Sequence, residues 1–263
     1  MDPSTDNDPF NHPDAGFNAL PEWTWVGCYG GYYLQADLLA AFEHGFFTRL
    51  WNGRSPDVLA GYLSAGVTVH RPKQVHGANV LAASQAAAEP WPEADGLHSD
   101  SGGQSLWVCG ADCTPVLLAD PVRGVVAACH AGWRGVAAGL LAQTVGRLQT
   151  EGSHPGDLLA ALGPAISGTC YQVERQVSEA VAQRTTGGLM ALRAAGAVSE
   201  DSQPGRDRLD IRAAARLQLE QLGLAREQIA VCPLCTMSDA ALFHSWRRDG
   251  VRAVQWSGIV SQA

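Results

Sequence analysis

The 263-residue chain has no apolar run near the roughly 18 residues that a membrane-spanning helix needs. A positive charge balance is also missing: 18 Lys and Arg stand against 26 Asp and Glu, a formal charge of −8. That balance argues against a nucleic-acid groove or an anionic membrane surface as partner. No basic segment followed by an apolar one opens the chain. Residues 1–20, acidic and Pro-rich, are therefore expected to form a flexible arm, not a signal peptide. The seven cysteines are odd in number and scattered, which without a secretion signal points to reduced thiols and a cytoplasmic location. No repeat period or low-complexity block stands out. No two of the eight histidines lie two or four positions apart, so no local His pair marks a metal site. The one Cys-x-x-Cys, Cys232 to Cys235 in "CPLC", lacks the second pair a zinc knuckle needs and reads equally as two small buried hydrophobes.

What is present is a globular composition, 46% apolar and 17% charged, at a length that fits one large domain or two small ones, with no linker that splits the chain convincingly. "WTWVGC" and "GYYLQADLL" read as a hairpin, and "VTVHRPKQVHGANVL" as extended chain interrupted at Pro72. "SLWVCG", "TPVLLAD" and "RGVVAACH" are strand candidates, as are "DLLAALG", "QIAVC" and "VQWSGIV". A helix is predicted from Trp133 to a stop at Gly152, and a second over "QVERQVSEAVAQR". "DIRAAARLQLEQLG" is a third, started by Asp210 and closed by Gly223. Residues 185–208, rich in Gly, are expected to be a partly helical excursion with mobile loops. The mixture predicts an α/β or α+β domain with more sheet than the helices alone could cover.

Three places could carry chemistry. His76 lies in "QVHGANV" at an extended-chain end, where a lone His can equally be a hydrogen-bonded structural residue. Cys113, in "GADCTPVLL", sits where one apolar run gives way to another and can be nucleophile, ligand or core. His130 stands between a strand and a Gly-rich helix start in "CHAGWRG", with Gly132 and Gly135 permitting close approach and Arg134 near an anion-friendly helix end. The alternative is that His130 caps, Trp133 packs and Arg134 is a surface charge. A catalytic zinc commonly takes three protein ligands, and two His with one Cys meet that count; the spacing leaves their convergence open.

Taken in order, "QVHGANV", "ADGLHSD", "ADCTPVLLAD", "HAGWRG", "GPAISGTCYQV" and "CTMSD…FHSWRRDG" resemble the YfiH-like family. That family is also labelled multicopper polyphenol oxidoreductase, laccase-domain protein and peptidoglycan editing factor. The resemblance runs from about Trp23 to the C-terminus. It implies that residues 21–263 form a single α/β (α+β) domain of layered mixed sheets with flanking helices, like the catalytic domain of the cytotoxic necrotizing factor toxins. It also implies zinc, rather than copper, on His76, Cys113 and His130, which would be both metal ligands and catalytic residues. The implied substrates are purine nucleosides and phosphate. Adenosine, inosine, guanosine and methylthioadenosine would be cleaved to base and sugar 1-phosphate, and adenosine deaminated to inosine. Arg49, Arg134, Arg247 and Arg248 are candidates for holding phosphate, since a guanidinium fork suits it, and Asp112 for orienting the thiolate. The chain departs from the family pattern at Ala165, Trp246 and Ala253-Val254, with Arg252 shifted beside a lost Arg.

Two other enzyme readings compete, and a third treats the domain as a nucleoside-binding module without turnover. A copper laccase would want on the order of ten ligands, chiefly His, which eight unpaired His serve poorly. A metal-free hydrolase acting on peptidoglycan precursors would use Cys113 as nucleophile and His130 as base. Oligomeric state is not readable from the sequence.

Overall fold

The structure, a computed structural model, describes residues 20–28 and 31–262. Apart from Leu20, the arm expected over residues 1–20 lies outside the described residues. The predicted hairpin forms: β1 (Trp23–Cys28) and β2 (Gly31–Ala36) pair antiparallel, with Trp23 opposite Ala36. β3 (His44–Phe47), helix α1 (Pro56–Leu63), β4 (Thr68–His70) and β5 (Val80–Ala82) follow. Pro56 begins α1 because a first-turn residue needs no backbone N–H. The dense middle supplies β6 (Gly96–His98), β7 (Gln104–Gly110), β8 (Thr114–Ala119) and β9 (Val126–Ala131).

The single helix predicted from Trp133 is in fact two, α2 (Trp133–Ala138) and α3 (Leu140–Thr150). Gly139, at φ 90°, adopts a left-handed conformation open to glycine and breaks the run while the apolar spacing continues. After β10 (Leu159–Leu162), the first turn of the next predicted helix is instead strand β11 (Gln172–Glu174), and α4 (Arg175–Ala182) begins after it. The Gly-rich segment after it holds more order than expected: α5 (Gly188–Ala194), β12 (Val198–Glu200) and β13 (Arg206–Leu209), with β11–β13–β12 forming an antiparallel sheet. α6 (Ile211–Gln221) starts where predicted, since the Asp210 carboxylate accepts from the N–H groups of Arg212 and Ala213. β14 (Ile229–Val231), α7 (Trp246–Asp249) and β15 (Gln255–Val260) complete the described chain. No helix among the described residues is long and apolar enough to cross a membrane.

Two six-stranded mixed sheets stack face to face, ordered β1-β2-β3-β15-β7-β4 and β14-β10-β8-β9-β6-β5. Leu34, Phe46, Leu106 and Val108 of the first meet Leu97, Leu117 and Ala128 of the second. The second sheet's other face packs under α2, α3 and α6, through Val116, Leu118, Leu140, Leu148 and Leu219. The first sheet's outer face carries Tyr33, Phe47 and Trp107, covered by Trp51 and by Leu59 of α1. Burial on both faces is why β8 and β9 read as continuous apolar runs. Each buried Leu contributes about 1.5–3 kcal/mol relative to exposure. β7 and β8 belong to different sheets, so residues 111–113 are the crossing from one layer to the other.

His44 illustrates a polar group fixed inside this stack. It is fully buried, with Nδ1 2.8 Å from the Phe42 carbonyl and Nε2 accepting from the Ala36 N–H at 2.9 Å. That pairing requires the neutral ring, and burial, the largest influence, holds its pKa below the ordinary histidine value. A folded-state pKa below the unfolded one gives stability that is complete above about pH 6.5 and is lost as pH falls below it. The denaturation midpoint is therefore expected to fall between about pH 7 and 5, less steeply in His44→Leu than in the parent chain. Equal slopes would remove His44 from that role.

Candidate metal centre

His76, Cys113 and His130 come from three separate segments: the β4–β5 loop, the sheet crossing and the end of β9. Their ligand atoms all lie within 4.8 Å of one another. The two imidazole rings stand nearly perpendicular, centroids 4.8 Å apart. His130 is buried, Cys113 partly so, and His76 exposed, so the group is anchored at one end and open at the other. No other such trio of His, Cys, Asp or Glu occurs among the described residues, and "CPLC" is not part of one.

The group's orientation is set by Asp95, a residue the sequence reading did not single out. Asp95 is fully buried just before β6. Its Oδ1 lies 2.9 Å from His130 Nδ1 and accepts the His76 N–H at 2.9 Å, while Oδ2 accepts from Gly77 at 2.7 Å and Val75 at 3.1 Å. One carboxylate thus gathers three consecutive amides and one ring nitrogen. The amides hold His76 at φ 60°, a left-handed conformation that costs about 1–3 kcal/mol unless its surroundings enforce it. With Nδ1–H donating to Asp95, the His130 nitrogen left to face a metal is Nε2, which would bind in place of its proton. The carboxyl gives no ready sequence signal, being an Asp before a Gly in "EADGLHSD", as common in turns as in sites.

Burial works against both Asp95 and Cys113, and hydrogen bonds outweigh it in each. Those from His130 and the Gly77 N–H hold the Asp95 carboxyl below the usual carboxylate range. Those from His130 and His76 bring the Cys113 thiol down to about 6. Against its own burial, His130 rises to about 9 through Asp95 and Cys113. Without metal, His130 is therefore the protonated partner of the Cys113 thiolate; once a metal takes the place of that proton, one sulfur and two imidazole nitrogens form a set that suits zinc, cuprous copper or iron over a hard cation. Cys109, also at this cleft, is pushed by burial to about 12 and stays a thiol.

Space around the trio is reserved by glycine. A Cβ on Gly132 would lie 2.9 Å from Cys113 Sγ and 3.5 Å from His76 Cδ2; one on Gly135 would lie 2.8 Å from the Gly77 carbonyl. Gly132 sits at φ −77°, open to any residue, so close approach and not turning explains it. A donor set of the right chemistry, oriented from behind and with a methyl-sized volume held open beside the sulfur, fits a bound metal ion. Gly132→Ala is expected to keep the parent's thermal midpoint to within about 2–4 °C, the shift of roughly 1 kcal/mol in a chain of this size, yet lose metal affinity by tenfold or more. Unchanged metal stoichiometry and affinity in that variant would show the space is not needed.

The trio lines a cleft of about 600 Å³ with mostly apolar walls, among them Trp133, Ile166, Tyr171 and Trp246. Arg134 and Arg247 line it as well; Arg134 stacks over Trp133 at 4.5 Å and Arg247 over Tyr171 at 4.9 Å. Arg49 and Arg248 do not line it. The Arg49 Nη1 donates to the Ala240 carbonyl, and the Arg248 fork donates to the carbonyls of Thr236, Met237 and Phe243 and pairs with Asp249. Their donors tie down the loop between β14 and α7, so the trio and these two expected substrate residues are not brought to one cleft. Asp112 lines the cleft at φ 99°, but its oxygens accept from Thr236 Oγ1 and the Arg247 N–H, each at 2.7 Å. It positions Arg247, and the orienting role expected of it falls to Asp95.

Stacked mixed sheets with a His-Cys-His group at the crossing between them define a class of α/β protein with one candidate metal centre. The chain belongs to the multi-copper polyphenol oxidoreductase laccase family, whose sequence profile matches residues 57–262. It is 41% identical over 256 residues to the purine nucleoside phosphorylase slr1573 of Synechocystis, covering 91% of this chain and 97% of that one. It is 37% identical over 186 residues to the purine nucleoside phosphorylase YlmD of Geobacillus stearothermophilus, covering 67% of this chain and 66% of that one. The crystal structure of that organism's YlmD superposes with a TM-score of 0.77 at 28% identity, over 91% of this chain and 99% of the other. Bacillus licheniformis YfiH superposes with a TM-score of 0.77 at 27% identity, over 90% and 99%.

Proposed function

We propose that the chain is a zinc-dependent purine nucleoside phosphorylase that also deaminates adenosine. The observation that carries this reading is the convergence of His76, Cys113 and His130 on an apolar, aromatic-walled cleft lined also by Arg134, Arg247 and Arg252. The near full-length similarity to a protein named purine nucleoside phosphorylase supports the substrate class. Tyr171 and Trp246 offer faces on which a flat base can stack. Arg134 and Arg247, their planes steadied by Trp133 and Tyr171, and Arg252 are the cleft cations available to a phosphate. In phosphorolysis, a phosphate oxygen bonds to ribose C1′ as the C1′–N9 bond breaks, and its electron pair leaves with the purine. The arginines hold the attacking anion against the positive charge that develops on the sugar. Zinc on the trio would supply a Lewis acid able to lower the pKa of a coordinated water. Asp95 keeps the proton on His130 Nδ1, so the ring's other nitrogen stays available as a ligand.

A second reading rests on the same contacts. Cys113, His130 and Asp95 are arranged as nucleophile, base and orienting carboxylate, the pattern of a metal-free Cys-His hydrolase, for which peptidoglycan precursors are the candidate substrates. Elemental analysis combined with incubation on adenosine, with and without phosphate, separates the readings. About one zinc per chain is expected, with phosphate-dependent adenine, phosphate-independent inosine, and loss of both on chelation. Metal-free protein inert toward nucleosides but inactivated by thiol alkylation in hydrolysis would favour the second. Copper at several equivalents per chain would overturn both.

A further inference from the structure

The two cysteines of "CPLC" go different ways in the fold. Cys232 is fully buried in the core between the two large sheets, with Leu97 and Leu117, and burial pushes its thiol up to about 12. Cys235 has left that core and lies against the turn that follows β10. Its backbone bridges Ala165, and its Sγ accepts the Ser167 N–H at 3.3 Å. From Ser167 the chain turns back, the Cys170 N–H donating to the Ser167 carbonyl at 3.0 Å. This turn brings Cys170 to the same place: its Sγ lies 3.4 Å from Ser238 Oγ, and the Ser238 hydroxyl also bonds to the Cys235 sulfur. Two free thiols from segments far apart in sequence are thus separated by one hydroxyl.

The pair is open to solvent and chemically uneven. Cys235 is buried, Cys170 is half-buried, and Thr169 and Ser238 beside them are exposed. Burial raises the Cys235 thiol, but hydrogen bonds from Ser167 and Ser238 outweigh it and bring it down to about 7. The Arg248 guanidinium, held on the Thr236 and Met237 carbonyls, adds a positive charge on that side. Burial instead pushes Cys109, Cys129 and Cys232 up to about 12, so they stay thiols. The thiolate is the form that attacks a peroxide, and a second sulfur within reach is what converts the product to a disulfide. No third metal-ligating side chain stands with the pair among the described residues, so a metal site does not account for it.

We propose that Cys170 and Cys235 form a redox-modification site, a thiol pair that a hydroperoxide converts to a reversible disulfide. The Cys235 sulfur attacks one peroxide oxygen and the O–O bond breaks. Cys235 becomes a sulfenic acid, and the other oxygen leaves and takes up a proton. The Cys170 sulfur then attacks Cys235 Sγ, an S–S bond replaces the S–OH bond, and the hydroxide leaves as water with the Cys170 proton. In sum, two thiols lose two electrons and two protons, and hydrogen peroxide ends as two waters. The site stands independently of the metal trio and of the reaction proposed there. The test is treatment of the full chain with hydrogen peroxide, followed by peptide mapping without reduction. A cross-linked peptide joining Cys170 to Cys235 is expected, and dithiothreitol should abolish it. Cys109, Cys129 and Cys232 should react at least about tenfold more slowly than Cys235. In Cys170→Ser the cross-link should disappear and dimedone should trap Cys235 as its sulfenic acid. Should that variant fail to fold, the cross-link in the parent chain decides alone. Recovery of Cys170 and Cys235 as thiols, overoxidation of Cys235 with no cross-link, or a bond from Cys235 to Cys232 instead would overturn the proposal.

Discussion

Asp95→Ala is expected to be the most destabilising single change at the site. It removes the acceptor of three consecutive amide N–H groups and of the buried His130 ring in one step. Breaking a buried hydrogen-bonded charge pair costs about 3–5 kcal/mol, because the partners left behind are desolvated and unpaired. The denaturation midpoint should fall accordingly, and metal affinity by about 10–100-fold, since His130 loses its orientation and His76 the anchor of its φ 60° backbone. Asp95→Asn should fall between the two, because its amide can still accept on one atom but presents donors to the Gly77 and Val75 N–H groups. A wild-type midpoint in Asp95→Ala would refute this account. The same carboxyl carries a pH signature. Its folded pKa lies below the ordinary carboxylate value, so its contribution is complete above about pH 4 and is lost as pH falls through the folded pKa.

His76→Ala should show the opposite division between stability and function. The imidazole is exposed, so its removal is expected to change stability by no more than about 1 kcal/mol. Metal stoichiometry, however, should drop toward zero, and turnover of inosine and adenosine should be abolished with it. Paired with Asp95→Ala, this variant also separates the two chemical readings. A Cys-His hydrolase needs Cys113, His130 and Asp95 but not His76, so full activity in His76→Ala would transfer the site to that reading. Normal nucleoside turnover without metal in this variant would remove the metal assignment altogether.

How much of this could be read from residues alone depends on whether the cause is local. The hairpin of β1 and β2, the apolar runs of β8 and β9, and the Asp210 cap of α6 follow from short-range patterns, and the structure reproduces them. Gly139 breaks a helix whose apolar spacing continues through it, and nothing in the spacing marks that break. The small sheet of β11, β13 and β12 was hidden because its strands are three or four residues long and lie among glycines. At the site, His76, Cys113 and His130 each stood at a strand end or turn, where reactive groups are commonly presented. That Arg49 and Arg248 reach backbone carbonyls was not legible, because a guanidinium that binds an anion and one that binds carbonyls look alike in sequence. Asp95 was overlooked because its worth lies wholly in what surrounds it.

The amino-acid sequence by itself determined the mixed α/β class, the separate turn that presents each candidate ligand, and the ordered motifs of the family. Only the tertiary structure decided that these turns share one place. β7 and β8 lie in different sheets, so the chain must cross between layers at Cys113. There the pairing of β8 with β9 sets Pro115 beside His130, and the pairing of β6 with β9 brings Asp95 behind its ring. Strand register, fixed by burial of both sheet faces, closes distances in sequence that no spacing rule encodes.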